Sequence, residues 1–350
     1  MSQTLDTKGA PADRDERTKR RSLGRRLLSR PEIGSAVGAI VIFAFFLVVA
    51  PTFRTLPAQF TVLYSASTIG IMAVGVALLM IGGEFDLSTG VGVISSALVA
   101  SMFAFQLSAN VWVGVLIALL FSLAVGFFNG WLVMTTGIPS FLVTLGTFLM
   151  LRGANIAVTK IVTGGVASPT ISDIEGFGSA RTIFASAFTF AGQTVRITVI
   201  YWLVLVALAT WVLLRTKIGN WIFAVGGNAA SARAVGVPVR KVKIGLFMFV
   251  GFCAWLLGMH QLFAFSTVQS GGGIGEEFIY IIAAVIGGTL LTGGYGSAVG
   301  AAIGAYIFGM ARQSIVYAGW DANWYFFFLG LMLLLATVAN NWVRQAATRG

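Results

Sequence analysis

Few residues in this chain could do chemistry, and those few sit in unusual places. Glu84 and Asp86 lie in GGEFDLSTG, residues 82–90, between two apolar runs with almost no loop around them. A carboxylate in apolar surroundings is costly, so it lines a watery cavity, pairs, or carries protons. The glycines allow a broken or re-entrant backbone there. A simpler reading of the same residues makes Asp86 the N-cap of a helix starting at Leu87, with Glu84 facing water. A proton relay lacks parts, because no second buried acid or intramembrane histidine accompanies the pair.

A second candidate is IPSFLVTLGTFLMLRG, Ile138 to Gly153. Phe141, Thr144 and Phe148 fall on one face at helical spacing, with Thr147 beside them. A ring next to hydroxyls suits a neutral polyol or sugar, although ordinary helix packing uses the same stripe. Arg152 lies about 21 Å along this helix and snorkels to the surface.

Catalytic motifs are missing. The sequence has no HExxH, no Cys/His cluster and no GxxxxGK phosphate loop. Cys253 is the single cysteine and His260 the single histidine, so a disulfide within the chain is excluded. The chain reads as a non-enzyme with no metal site and no cofactor of its own. If ATP drives it, another polypeptide hydrolyses the ATP.

The elements that must position these residues are membrane helices. Of 350 residues, 57% are hydrophobic and only 10% charged, and the mean hydropathy is +0.89. Soluble chains carry about a quarter charged residues, so the fold class is an all-α integral membrane protein. The net charge of +11 is concentrated before the first apolar run, from Lys8 to Arg30. That placement orients a chain against an anionic leaflet and argues against nucleic acid as a partner.

Apolar runs predict about ten transmembrane helices: 33–50, 60–81, 87–105, 111–134, 138–158, 197–214, 244–265, 278–291, 296–311 and 324–343. The N- and C-termini are then both cytoplasmic. Residues 1–32 form a disordered basic tail, 33–343 a single transmembrane domain with a broken element near 82–90, and 344–350 a short tail. Arg215, Lys217, Arg233, Arg240, Lys241 and Lys243 fall inside, whereas Arg54, Lys160, Arg181 and Arg196 fall outside, as the positive-inside rule requires. Segment 159–196 is the longest outer loop. Gly296, Gly300 and Gly304 recur on one helix face and permit close helix approach, within the chain or between copies.

The basic inner loop, 215–243, contains a two-turn helix with both ends marked. Asn228 is the N-cap, Ala229 to Val235 the helix, Gly236 the left-handed stop, and Pro238 bars a restart. So short a helix needs a surface, either the membrane or a partner protein.

Taken together, GGEFDLSTG (82–90), NGWLVMTTGIPSFLVTLGTFLMLRG (129–153), GNWIFAVGGNAASARAVGVPVRKVK (219–243) and IAAVIGGTLLTGGYGSAVGAAIGA (282–305) resemble the permease subunit of ribose-type ABC importers. That family also includes branched-chain amino acid permeases. Asp86-Leu87-Ser88 is similar to the sugar branch, while Glu84 stands where glycine is common. The resemblance implies two permease subunits, two cytoplasmic ATPase subunits that use the ATP, and a soluble binding protein facing 159–196, with its Asp173 and Glu175. It implies that Gly219, Gly226, Gly227, Asn228, Ala232, Arg233 and Gly236 serve coupling to the ATPase. The residues themselves lead to the expectation of a solute pathway near Asp86, Ser88, Asn129, Ser140, Phe141, Thr144, Thr147 and Phe148. A stand-alone carrier coupled to ions or protons through Glu84 and Asp86 is the competing reading, and a purely structural subunit a third.

Overall fold

The computed structural model describes residues 31–107 and 110–348. The expected tail lies outside the described residues up to position 30. The elements are α1 (Pro31–Val49), α2 (Leu56–Ile81), α3 (Thr89–Gln106), α4 (Val111–Thr136), α5 (Ser140–Thr163), α6 (Phe177–Ala185), β1 (Ala187–Phe190) and β2 (Gln193–Arg196). They continue as α7 (Ile197–Arg215), α8 (Lys217–Gly227), α9 (Ala229–Ala234), α10 (Val239–Phe265), α11 (Glu276–Ile286), α12 (Ala298–Tyr317) and α13 (Trp324–Thr348).

Eight of these helices are long and apolar enough to cross a membrane. The two expected spans outside that set are α13, whose described apolar part is Trp324–Leu335, and α11. With eleven residues, α11 reaches only about 16 Å, half of a hydrocarbon core. Glycines set both of its ends, since Gly275 precedes it at φ 88° and Gly288 follows it at φ 87°. Segment 266–275, which precedes it, folds back beside 166–168. Ser168 N–H donates to Val268 C=O at 2.9 Å, and Ser270 N–H to Val166 C=O at 2.8 Å.

The all-helical expectation gains one exception, the β1–β2 hairpin inside the long loop. Its two turn residues, Ala191 and Gly192, both have positive φ, which matches the twist of a tight hairpin.

At the centre lies α2, buried on all sides and packed against α12, α7, α10 and α11. Helices α4, α5 and α7 instead expose Leu116, Leu149, Leu208 and Trp211, as lipid-facing helices do. Burying Leu on Leu gives little net drive in lipid, so close backbone contact holds such bundles together. Gly309 of α12 lies over Ala66 of α2, where an added Cβ would stand 2.6 Å from the Ala66 nitrogen. Gly130 of α4 faces the Ile244 Cα of α10 at 2.8 Å by the same measure. Gly300 and Gly304 press α12 onto Gly287 and Ala283, so part of the expected glycine stripe serves packing within the chain.

One chain reversal is built twice. At Ile81-Gly82-Gly83, Gly83 N–H donates to Met80 C=O and Glu84 N–H to Leu79 C=O. At Ile286-Gly287-Gly288, Gly288 N–H donates to Val285 C=O and Thr289 N–H to Ala284 C=O. Both are Schellman endings with left-handed glycine, at φ 82° and 87°. Each is followed by an extended break and then a new helix, α3 or α12.

Replacing Gly309 by Leu is expected to lower stability by about 1–3 kcal/mol, because that interface has no room for a side chain. Gly330, with open space around it, accepts Leu within about 0.5 kcal/mol. Thermal unfolding in detergent compares the two; equal losses would remove the close α2–α12 contact as the cause.

Candidate functional site

The break between α2 and α3 leaves backbone donors without helical partners, and α5 supplies the partners. Ser140 Oγ accepts from Phe85 N–H at 3.0 Å and Thr144 Oγ1 from Leu87 N–H at 3.0 Å. Asp86 Oδ1 accepts from Ser88 N–H at 2.8 Å and from Ser88 Oγ–H at 2.5 Å. Asn129 Nδ2 of α4 donates to Ser88 Oγ at 3.2 Å, and Thr147 Oγ1 donates to Asn129 Oδ1 at 2.6 Å. Six of the expected pathway residues therefore meet in one buried network: Asp86, Ser88, Asn129, Ser140, Thr144 and Thr147.

Phe141 and Phe148 do not join it. Positions 140, 144 and 147 form the inner stripe of α5, while Phe141 is half exposed on the outer side and Phe148 is intermediate. Asp86 is not an N-cap. The helix begins at Thr89, and the carboxylate closes a turn onto Ser88 instead. The cavity beside the network measures about 20 Å³ and is lined by Asp86, Ser88, Thr89 and Ser122 among others. That is room for one water, and Thr89 Oγ1 and Ser122 Oγ, which have no protein partner, are suited to bind it.

Glu84 does not face open water. It pairs with Lys243 in the first turns of α10, and both side chains are nearly buried, at 11% and 12% exposure. The pair ties the break to the end of the basic segment. Among the described residues no cluster of His, Cys, Asp or Glu has the makings of a metal site.

Within the basic segment, Thr216 caps α8 by accepting from Gly219 N–H at 3.2 Å. Ile222 and Val225 turn inward beside Gly219. Asn228 caps α9 by accepting from Ser231 N–H at 2.9 Å, and Gly236 has φ 85°. Both marks were legible in the sequence. Pro238 acts differently from expectation, because α10 starts immediately after it. At the N-cap a proline lacks only an N–H that the helix does not use, and its C=O still accepts from Val242 N–H at 3.1 Å. Ala232 is buried against the protein's own core, whereas Arg233 and Val235 are exposed, Val235 by 79%. The short helix thus has its supporting surface within the chain and presents its other side outward.

Gly226 joins this segment to both breaks. An added methyl group there would overlap the Ile81 carbonyl oxygen and stand 2.7 Å from Gly294 N. Gly294 N–H donates to that same Ile81 carbonyl at 2.8 Å. Gly293 in turn lies against Gly83 Cα, at 2.7 Å from its would-be Cβ. Three chain segments meet here with backbone touching backbone. Gly227 is open on its own side by comparison, although a Cβ added at Gly294 would stand 2.8 Å from the Gly227 Cα.

Glu276 and Glu277 stand just before the apolar run 278–291, and Arg312 just after the run 296–311. In the structure the N-terminal ends of α3 and α11 meet inside the bundle, where Gly90 abuts the Gly273 backbone. Glu277 is 3% exposed at that junction, and its two carboxylate oxygens accept from Gly275 N–H at 3.1 and 3.0 Å. Two helix N-termini favour a carboxylate at that position. Arg312 Nη2 donates to Glu276 Oε1 at 3.0 Å. Beside this pair is a cavity of about 220 Å³, bordered by Thr68, Gln261 and Tyr280. A lone arginine in an apolar span was the available signal, since such a charge requires a partner. His260 is buried and satisfied by Phe184 C=O at 2.8 Å and Tyr64 Oη at 2.9 Å.

Comparison with known proteins finds relatives over most of the chain. The ribose import permease protein RbsC of Escherichia coli (strain K12) is 32% identical over 324 residues, covering 91% of this chain and 97% of the relative. The fructose import permease protein FrcC of Rhizobium meliloti is 27% identical over 344 residues, with 97% and 93% covered. The galactose/methyl galactoside import permease protein MglC of Escherichia coli (strain K12) is 28% identical over 323 residues, with 89% and 94% covered. No solved structure matches the chain. A family model described as "Branched-chain amino acid transport system / permease component" matches residues 59–337, and the chain belongs to that family of membrane permease components.

Proposed function

We propose that this chain is the membrane-spanning permease subunit of an ATP-driven importer, and that it passes a monosaccharide or similar polyol. The observation that carries the coupling part is α9. It is capped at both ends and fixed through Gly226 to both chain breaks, yet it holds Arg233 and Val235 outward. An apolar and cationic knob, rigidly backed, suits the groove of a second polypeptide. That the solute is a sugar rests on the names of the relatives, which are ribose, fructose and galactose import permeases.

On this reading two ATPase subunits dock on 215–243 and consume the ATP, and this chain binds no cofactor itself. A second copy of the chain completes the permease. A soluble binding protein delivers solute at 159–196, where α6 and the hairpin stand. The basic end lies in the cytoplasm of a bacterial inner membrane, and both termini share that side. Ten crossings follow when α13 counts as one and α11 together with 266–275 as another.

A carrier coupled through Glu84 and Asp86 finds no support in the geometry. Lys243 neutralises Glu84, and Asp86 is held by Ser88 beside space for one water. Neither carboxylate is offered to a solute.

Proteoliposomes containing this chain, its ATPase and its binding protein test the proposal. Sugar uptake is expected to require ATP, and uptake driven by a proton gradient without the ATPase would overturn it. Glu84→Gln should leave the pH profile of uptake the same as in the unaltered chain, whereas in a proton-coupled carrier it would abolish a pH response that the unaltered chain shows. Arg233→Glu is expected to cut uptake at least about tenfold by opposing the docking surface, with binding-protein affinity unchanged. A cysteine at Ser231, exposed on α9, should react with an impermeant thiol reagent in inverted vesicles only; labelling of intact cells would reverse the orientation.

A further inference from the structure

The cavity of about 220 Å³ lies within one copy of the chain, walled by α2, α3, α10, α11 and α12. Its volume equals that of about seven waters, the scale of a single sugar ring. The smaller cavity at Asp86, about 20 Å³, cannot hold one. We infer that the larger cavity is a binding site for a neutral polyhydroxylated solute, so that each protomer carries its own site, apart from any space between two copies. The inference rests on the proposed import of such a solute and locates where it is held.

The lining matches that chemistry. A sugar hydroxyl both donates and accepts, and the cavity offers both functions in pairs. Arg312 contributes guanidinium donors and Glu276 carboxylate acceptors, already joined at 3.0 Å. The Gln261 amide can do either. Thr68 Oγ1 donates to Ser65 C=O at 2.8 Å, which leaves its lone pairs to accept. Ile94, Leu257 and the Tyr280 ring form an apolar wall, suited to the C–H face of a sugar ring.

Charge balance selects a neutral ligand. The Arg312–Glu276 pair compensates itself. An anion would have to displace Glu276, and an amino-acid zwitterion would have to open the pair and replace both halves. A polyol binds without breaking it. The mouth lies at this pair, whose side chains are 42% and 25% exposed. Arg312 is in the last third of α12, towards the end opposite 215–243. A transport site must also release its cargo, so affinity near about 1 mM is expected.

Saturation-transfer NMR on the full chain in nanodiscs tests this, with ribose, fructose and galactose as probes and leucine as competitor. At least one sugar should give saturation that leucine does not displace. Gln261→Ala and Arg312→Gln should each weaken it at least about tenfold, with thermal unfolding checking the fold. Arg312 is exposed enough that its variant keeps the test readable if Gln261→Ala does not fold. Three results would overturn the site: no sugar saturation in the unaltered chain, equal binding in folded variants, or displacement by leucine. ATP-driven uptake by the complete complex is measured in parallel. Uptake without sugar binding to the isolated chain sinks this site and leaves the importer reading intact, whereas absent uptake sinks the importer reading.

Discussion

The carbonyl oxygen of Ile81 is where the architecture is most constrained. The last turn of a helix leaves its carbonyls without partners, and in a bundle without water each must be satisfied. The turn at 82–84 answers three of them, since Gly82, Glu84 and Gly83 donate to Leu78, Leu79 and Met80. Ile81 is left over, and its donor is Gly294 N–H from the second break. That bond forms only if Gly226 carries no side chain, because a Cβ there would fall on the oxygen itself. A single hydrogen bond thus fixes the two breaks and the basic segment relative to one another.

The same need explains the network around Asp86. The extended stretch after Gly83 exposes the N–H groups of Phe85 and Leu87, and Ser140 and Thr144 stand in for the missing helical carbonyls. Hydroxyl groups in that arrangement resemble a polyol site when read along the sequence. In three dimensions these two hydroxyls accept from the protein's own backbone, at Phe85 and Leu87. Glu277 repeats the logic at the other junction, accepting from Gly275 N–H where α3 and α11 begin.

Much of this was legible in the sequence, for physical reasons. The membrane class followed from composition. The caps at Asn228 and Gly236 followed from local chemistry, which does not depend on distant residues. The broken element at 82–90 followed from glycines beside carboxylates. The second break carried a readable mark too, because Ile286-Gly287-Gly288 repeats Ile81-Gly82-Gly83. What remained hidden depends on contacts far apart in the chain. The pairing of Glu84 with Lys243 spans 159 residues, and that of Glu276 with Arg312 joins the start of α11 to the last third of α12. Hydropathy extended α11 through Leu291, since Thr289 and Leu290 look no less apolar than a helix end, and only the left-handed glycines mark the true stop.

The two halves of the proposed mechanism share their moving parts. Backbone contacts at Gly83, Gly226 and Gly293 have no flexible side chain to absorb a displacement, and close-packed interiors transmit strain. A pull on α9 therefore reaches the ends of α2 and α11 and the start of α12. Those helices carry Thr68, Tyr280 and Arg312, while α3, which follows the first break, carries Gly90. The cavity wall is thus built from the same helices that the glycine junction fixes. Slipping one break past the other would cost the Ile81–Gly294 hydrogen bond, so the two breaks are held as one unit. Gln261 sits on α10, and α10 is tied to the same junction through Lys243 and Glu84, so the coupling segment and the cavity wall share one anchor.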